Sequence, residues 1–350
     1  MTKDKSILIK NIYYMLSYAF VPLNQSNYED IAKEDYDNIH NLFAAILAKG
    51  IGKQLKQGLS KEYINRNEDL ITLRGKIDIS GTIKNKIMKK QSISCEYDEL
   101  SENNLLNQIL KSTSLILIQH ANVKTERKDE LKRNMLFFSN VDTLNLRSVK
   151  WNSIRFSRNN QTYRMLLSIC QLIVEGLLLT TEKGEYKMAS FLDDINMNKL
   201  YEKFVLEYYS KEFPHLNAKS SIIPWALDDD LGTFLPNMIT DITLSNKDKM
   251  LIIDTKYYSN TMQYNFGTEK LHSSNLYQIF TYIKNAELDK KNSGKKVSGM
   301  LLYAKTNETI QPNDEYSVSG NKMAVKTLDL NQDFKGIQNQ LNEIANYYFT

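Results

Sequence analysis

Apolar residues along the chain recur with two periods, and the change from one to the other predicts the elements. Helices are expected at about 6–20, 36–58, 102–121, 126–137, 160–182 and 196–212. The last of these carries Met197, Leu200, Tyr201, Phe204, Val205 and Tyr208 on one stripe, with Glu202 at its margin. A strand-like stretch occupies about 62–98, with alternation over 77–80. Two β-branched and aromatic runs, 238–245 (MITDITLS) and 250–258 (MLIIDTKYY), flank the polar turn 246–249 and predict a β-hairpin. Beyond the cap candidates Ser273 and Ser274, helical spacing returns at Leu276, Ile279, Phe280 and Ile283, with Asn275, Gln278 and Tyr282 on a separate polar stripe. A strand at 298–304 and a helix at 337–349 close the chain. This order of helices and strands predicts an α/β (α+β) fold.

The hairpin carries the most informative polar residues. With its turn symmetric about Lys247 and Asp248, cross-strand partners have numbers summing to 495, which sets Asp241 against Asp254. Opposed side chains lie about 4.5–5.5 Å apart at Cβ, and like charges there repel. A divalent cation reverses that interaction. Lys256, two residues after Asp254, shares its face. Two carboxylates and an ammonium then converge, a set suited to Mg²⁺, which takes oxygen ligands, keeps several waters and is held by one or two carboxylates. A cation there acidifies water for phosphodiester hydrolysis, with the lysine orienting the nucleophile. Opposed aspartates are also tolerated on a solvated hairpin edge, and Asp-x-Lys arises by chance in a chain of this composition. The run Met250–Ile253 favours the catalytic reading, because a buried strand puts the acids at the rim of a core.

At 350 residues two domains are expected, divided as 1–158 and 159–350, and 42% apolar content supports sizeable cores. The formal charge of +4, from 45 basic and 41 acidic residues, is too mild to identify a nucleic-acid partner. Locally, Arg74, Lys76, Lys84, Lys86, Lys89 and Lys90 make either a solvated lysine-rich hairpin or a projecting basic element. Only Cys95 and Cys170 occur, which excludes a disulfide framework and multi-cysteine zinc sites. His40, His120, His215 and His272 form no ligand pair at helical spacing; only His272, just before the Gln278 helix, is placed to touch a substrate. Gly52-Lys53, Gly75-Lys76 and Gly294-Lys295 are followed by Gln, Ile and Lys, so none completes a phosphate loop. The N-terminal segment lacks a signal-peptide core, and the greasiest helix is broken by Gln171 and Glu175. No membrane association and a cytoplasmic location are expected.

Several segments in order resemble the McrC family, the nuclease subunits of McrBC modification-dependent (5-methylcytosine) restriction systems. They are Ile9–Ala19 (IKNIYYMLSYA), Arg74–Asp78 (RGKID), 107–113 (NQILKST), 200–204 (LYEKF), 240–243 (TDIT), 253–258 (IDTKYY), 267–270 (GTEK) and 275–278 (NLYQ). The resemblance implies a partner-docking N-terminal domain followed by a restriction-endonuclease-like PD-(D/E)xK core. It implies Asp241 and Asp254 as Mg²⁺ ligands and Lys256 as the catalytic lysine. By the same resemblance Gln278 and Tyr282 steady the site, and Glu202 completes the metal shell unless it is an ordinary surface glutamate. The family's proline-acid element is loose here, since Pro236 stands five residues before Asp241. Implied partners are double-stranded DNA and an McrB-like AAA+ GTPase hexamer, which binds the GTP and whose hydrolysis this chain stimulates. A regulatory adaptor with a silent nuclease remnant, or a free-standing RecB-like nuclease, are the competing readings.

Overall fold

The computed structural model describes residues 3–4, 7–20, 23, 31, 34, 36–156, 161–178, 194–229, 232–258, 261–265, 268–306 and 308–350. Two compact units emerge, one formed by 1–42 with 175–350 and the other by 43–174. The expected division at 158 differs from this partition because the first helix belongs with the C-terminal half.

In chain order, β1 (Lys3–Asp4) and β2 (Ile7–Leu8) precede α1 (Ile9–Ala19), and α2 follows (Ile39–Gln57). The stretch expected as strand resolves into β3 (Glu62–Leu70), β4 (Lys76–Ile77), a helix α3 (Ile79–Ile87) and β5 (Ile93–Ser101). α3 corrects the strand expectation over 79–87: Asp78 caps it by accepting the Ser80 amide, and Ile79, Ile83 and Ile87 repeat at helical spacing. β3 and β5 pair antiparallel along nine residues each, with β4 on the other edge of β5. Then come α4 (Leu105–Gln119), α5 (Thr125–Met135) and α6 (Gln161–Leu178); positions 160 and 179–182 of the expected 160–182 helix lie outside the described residues. Asn107, fully buried, ties this unit together: its amide donates to the Ser60 and Glu102 carbonyls, and its oxygen accepts from Tyr163 at 2.6 Å.

The other unit resumes with α7 (Asp194–Glu212), β6 (Ile222–Ile223), β7 (Met238–Ile239), β8 (Ile242–Ser245), β9 (Lys249–Lys256) and the hairpin β10 (Met262–Asn265) with β11 (Thr268–Leu271). It ends with α8 (Ser273–Leu288), β12 (Lys296–Ala304), β13 (Asp314–Val318), β14 (Asn321–Leu328) and α9 (Phe334–Phe349). Five strands form one mixed sheet in the order β13-β14-β12-β9-β8. β12 is parallel to both β9 and β14, while β8 and β13 are antiparallel edges. Such a sheet, with α8 as the β9–β12 crossover, confirms the mixed α/β expectation.

Ile279 and Ile283 of α8 pack on Ile252, Leu301 and Val325. α7 and α9 also pack against the sheet, and α1 lies on α7, where Tyr18 donates to Glu212 at 2.8 Å. Asn11 of α1 reaches 319 residues along the chain to the Leu330 carbonyl, which is why the N-terminal helix shares this unit. Gly299 lets α8 pack closely on β12. A Cβ there would stand 2.7 Å from Ile283 Cγ1 and 2.9 Å from Ile279 Cγ1. Gly299→Ala is expected to destabilise by about 1–3 kcal/mol through overpacking, read as a lower denaturation midpoint with unchanged slope. Among the described residues no helix is long and apolar enough to cross a membrane.

Candidate active site

The hairpin register is the one the sequence predicts: Ile242 faces Ile253 and Leu244 faces Leu251. The ladder stops at Ile242, however, because the chain bends at Asp241. Asp241 and Asp254 are therefore not a ladder pair. Instead, Asp241 Oδ2 accepts both the Thr255 amide at 2.7 Å and the Thr255 hydroxyl at 2.9 Å, which fixes its carboxylate beside the end of β9. Just upstream, buried Thr240 bonds to Thr243 and to Ser221, holding the bend in place.

Asp254 is 1% exposed. Its Oδ2 lies 2.7 Å from Lys256 Nζ, as the shared face of alternate residues requires. The Lys256 ammonium also donates to Gln278 Oε1 at 3.3 Å; Gln278 Nε2 donates to the Tyr282 hydroxyl at 3.0 Å, and that hydroxyl donates to the Ile239 carbonyl at 3.1 Å. Five residues singled out in the sequence, Asp241, Asp254, Lys256, Gln278 and Tyr282, are thus joined in one place. α8 contributes the last two because Gln278 and Tyr282 are one helical turn apart and point to the same side.

Burial raises the Asp254 carboxyl to about 6, with the Lys256 ammonium pulling it down and Asp241 pushing it up. Burial works to lower Lys256, but the Asp254 carboxylate outweighs it and the ammonium is raised. Half-buried Glu202 on α7 is raised to about 7, by burial first and then by the charges of Asp241 and Asp254, against the pull of Lys256. Three acids and one lysine leave negative charge in excess. Even so, among the described residues no three acids, histidines or cysteines gather closely enough to enclose an ion. Glu202 feels the other two acids without joining them in one coordination set.

These residues fit a hard divalent cation in kind. The donors are all oxygens, and Asp254 Oδ1 is buried with no hydrogen-bond partner, a costly state unless an ion or water satisfies it. Asp241 and Asp254 are the two side chains that would hold the cation.

Three further residues support the site: Asn198 carries no signal in the linear sequence, whereas Asn275 shares the polar stripe of Gln278 and His272 precedes that helix. Asn198, one turn before Glu202 on α7, accepts the Tyr257 amide at 3.1 Å and so pins the chain just past Lys256. Asn275 donates to the Tyr303 hydroxyl at 3.0 Å at the carboxyl end of β12 and accepts from Tyr258. His272 stands at the N-cap of α8 without making a side-chain cap; its ring lies 5.4 Å from that of Tyr258, and its Nδ1 meets Gln263. The cluster occupies the carboxyl ends of the parallel strands β9 and β12, where open α/β sheets bind ligands.

Fold and site together define a mixed α/β protein with a buried acid–lysine centre at the carboxyl edge of its main sheet. The chain belongs to the McrBC family, described as McrBC 5-methylcytosine restriction system component, whose model matches residues 3–304. It is similar to the type IV methyl-directed restriction enzyme EcoKMcrBC of Escherichia coli (strain K12), at 29% identity over 346 residues, covering 98% of each chain. A chain in a refined half-complex from a tetradecameric assembly of Thermococcus gammatolerans McrB AAA+ hexamers with bound McrC shares its fold. The TM-score there is 0.51 at 17% identity, over 95% of this chain and 76% of that one.

Proposed function

We propose that this chain is the Mg²⁺-dependent DNA endonuclease subunit of a GTP-driven restriction complex acting on DNA with modified cytosine, and that it stimulates its partner's GTPase. What carries the reading is the Asp241, Asp254 and Lys256 cluster in a chain of this family. The unit formed by 1–42 and 175–350 is then a PD-(D/E)xK nuclease core.

Asp241 and Asp254 hold the cation, which when bound supplies an acidified water and neutralises phosphate charge. Thr255 fixes Asp241, and Gln278, backed by Tyr282, steers Lys256. Lys256 positions the nucleophile or compensates the charge that builds on the phosphorus, and phosphoryl transfer depends chiefly on such positioning and compensation. Glu202 adds a third acid facing the centre.

The partner is proposed to be an McrB-like AAA+ GTPase hexamer, in line with the fold shared with the Thermococcus complex. The 43–174 unit offers a surface for it. Ile71, Ile79, Ile83, Ile87 and Met88 are all exposed, beside Lys84, Lys86, Lys89 and Lys90. Exposed apolar residues gathered in this way mark protein-binding surfaces. With no phosphate loop of its own, the chain leaves GTP to the partner.

Co-purified with that GTPase, the chain is expected to cut methylated duplex DNA only with Mg²⁺ and GTP, and to spare unmethylated duplex. GTPase stimulation with no cutting under any condition would leave a regulatory adaptor. Cutting by the isolated chain without GTP would leave a free-standing nuclease.

A further inference from the structure

A second concentration of charge lies at the other end of the same sheet. Residues 246–249 and 289–296 hold six lysines, Lys247, Lys249, Lys290, Lys291, Lys295 and Lys296, against two acids, Asp248 and Asp289, in a chain whose total formal charge is only +4. The two segments are physically joined. The Lys296 amide donates to the Asp248 carbonyl at 2.8 Å, and Lys249 and Lys296 are register partners on β9 and β12. Lys322, on the next strand, stands beside Ser298, and Lys249, Lys296 and Lys322 line one cavity of about 140 Å³. Gly294, with φ +83°, makes the turn that brings Lys295 and Lys296 back to the sheet after the lysine pair at 290–291.

Among the described residues little compensates this charge. The ion pairs of the region use other lysines, Lys284 with Glu287 and Lys322 with Glu315. The Asp289 carboxylate is engaged by the Lys291 amide. Among the described residues none of the six lysines has an acidic partner. Neighbouring strands stand about 4.8 Å apart, so Lys249 and Lys296 place like charges side by side and favour an anion between them.

We propose that this face binds the phosphates of duplex DNA, as a second backbone contact remote from the proposed cutting centre. Lysines on turns and strand ends hold phosphate without reading sequence. Lys249 and Lys256 are the two ends of β9, roughly 23 Å apart at about 3.3 Å per residue. An odd number of residues apart on the strand, the two side chains point to opposite faces of the sheet, so this contact is separate from the centre at Asp254 and Lys256. The inference rests on the nuclease reading only in taking DNA as the substrate.

The test is equilibrium binding of a labelled duplex of about 30 base pairs to the full chain, without divalent metal, from about 50 to 300 mM KCl. Wild type is compared with Lys249→Gln/Lys290→Gln/Lys291→Gln/Lys296→Gln and with Lys290→Gln/Lys291→Gln, whose changes lie outside the strands. The fourfold variant should bind at least about tenfold more weakly, with a log–log salt slope shallower by about 3 to 4, and the double variant by about 2. Unchanged affinity and slope in both variants would overturn the proposal, as would absence of duplex binding by wild type. Calorimetry with inorganic pyrophosphate separates the two sources of phosphate: pyrophosphate binding lost in the variants while duplex binding persists would replace a DNA contact by a free-polyphosphate site. Normal cutting by Asp254→Ala would sink the nuclease site and leave this face standing.

Discussion

Asp254→Ala is expected to abolish cleavage while the chain stays folded and still stimulates its partner's GTPase. Asp254 is buried to 1% exposure, paired with Lys256 at 2.7 Å, and keeps one carboxylate oxygen with no hydrogen-bond partner. Removing it leaves the Lys256 ammonium with the Gln278 oxygen alone, so the variant loses stability, up to about 3–5 kcal/mol, without losing the fold. Its removal leaves Asp241 as the one remaining proposed ligand on the hairpin and takes away charge placed to act on the phosphate. Loss of one such group costs about 10²–10³ in rate, and loss of the cation costs more. Asp254→Asn keeps the side-chain volume and separates loss of charge from creation of a cavity. The measurement is single-turnover cutting of methylated duplex, with the GTPase rate followed in the same reaction. If Asp254→Ala cuts within about twofold of wild type, the residue does not belong to the site.

The parts of this site legible in the sequence are those set by local periodicity. Two β-branched runs around a polar turn specify the hairpin register, because a slip of one residue would carry Asp254 and Lys256 to the other face of the sheet. A spacing of four puts Gln278 and Tyr282 on one side of α8 whatever the helix packs against. The bend at Asp241 was not legible, since where a ladder ends depends on the Thr240 and Ser221 bonds made by a strand some twenty residues away. Asn198 bonds across 59 residues, and Asn11 across more than three hundred, so their roles exist only once the fold does. α3 was hidden by a short alternation that its capping aspartate overrides. β10 and β11 escaped because Met262–Asn265 and Thr268–Leu271 mix polar and apolar residues without a clean period. The whole unit of 1–42 with 175–350 is a non-local object that no boundary drawn along the chain could recover.

Lys256→Met should also stop cutting, and it carries a second, opposite signature in stability. In the native chain burial raises the Asp254 carboxyl to about 6 while Lys256 pulls against that rise. Without the ammonium, the carboxyl moves higher still. A carboxyl whose folded pKa lies above its unfolded value binds more protons in the folded state, so stability falls as pH rises through that interval. The single variant should therefore be weakest above neutrality and recover on acidification, with a loss at high pH of up to about 3–5 kcal/mol, the range for breaking a buried ion pair. Asp254→Asn/Lys256→Met removes the pair as a unit. It should be at least as stable as wild type, by as much as about 1–4 kcal/mol, and should lose this pH dependence, while remaining unable to cut. Urea midpoints at pH about 5.5 and about 8, taken with chelator present, decide between these outcomes. A Lys256→Met chain as stable as wild type at the higher pH would mean that the pair is solvated and that its charges cost the fold nothing.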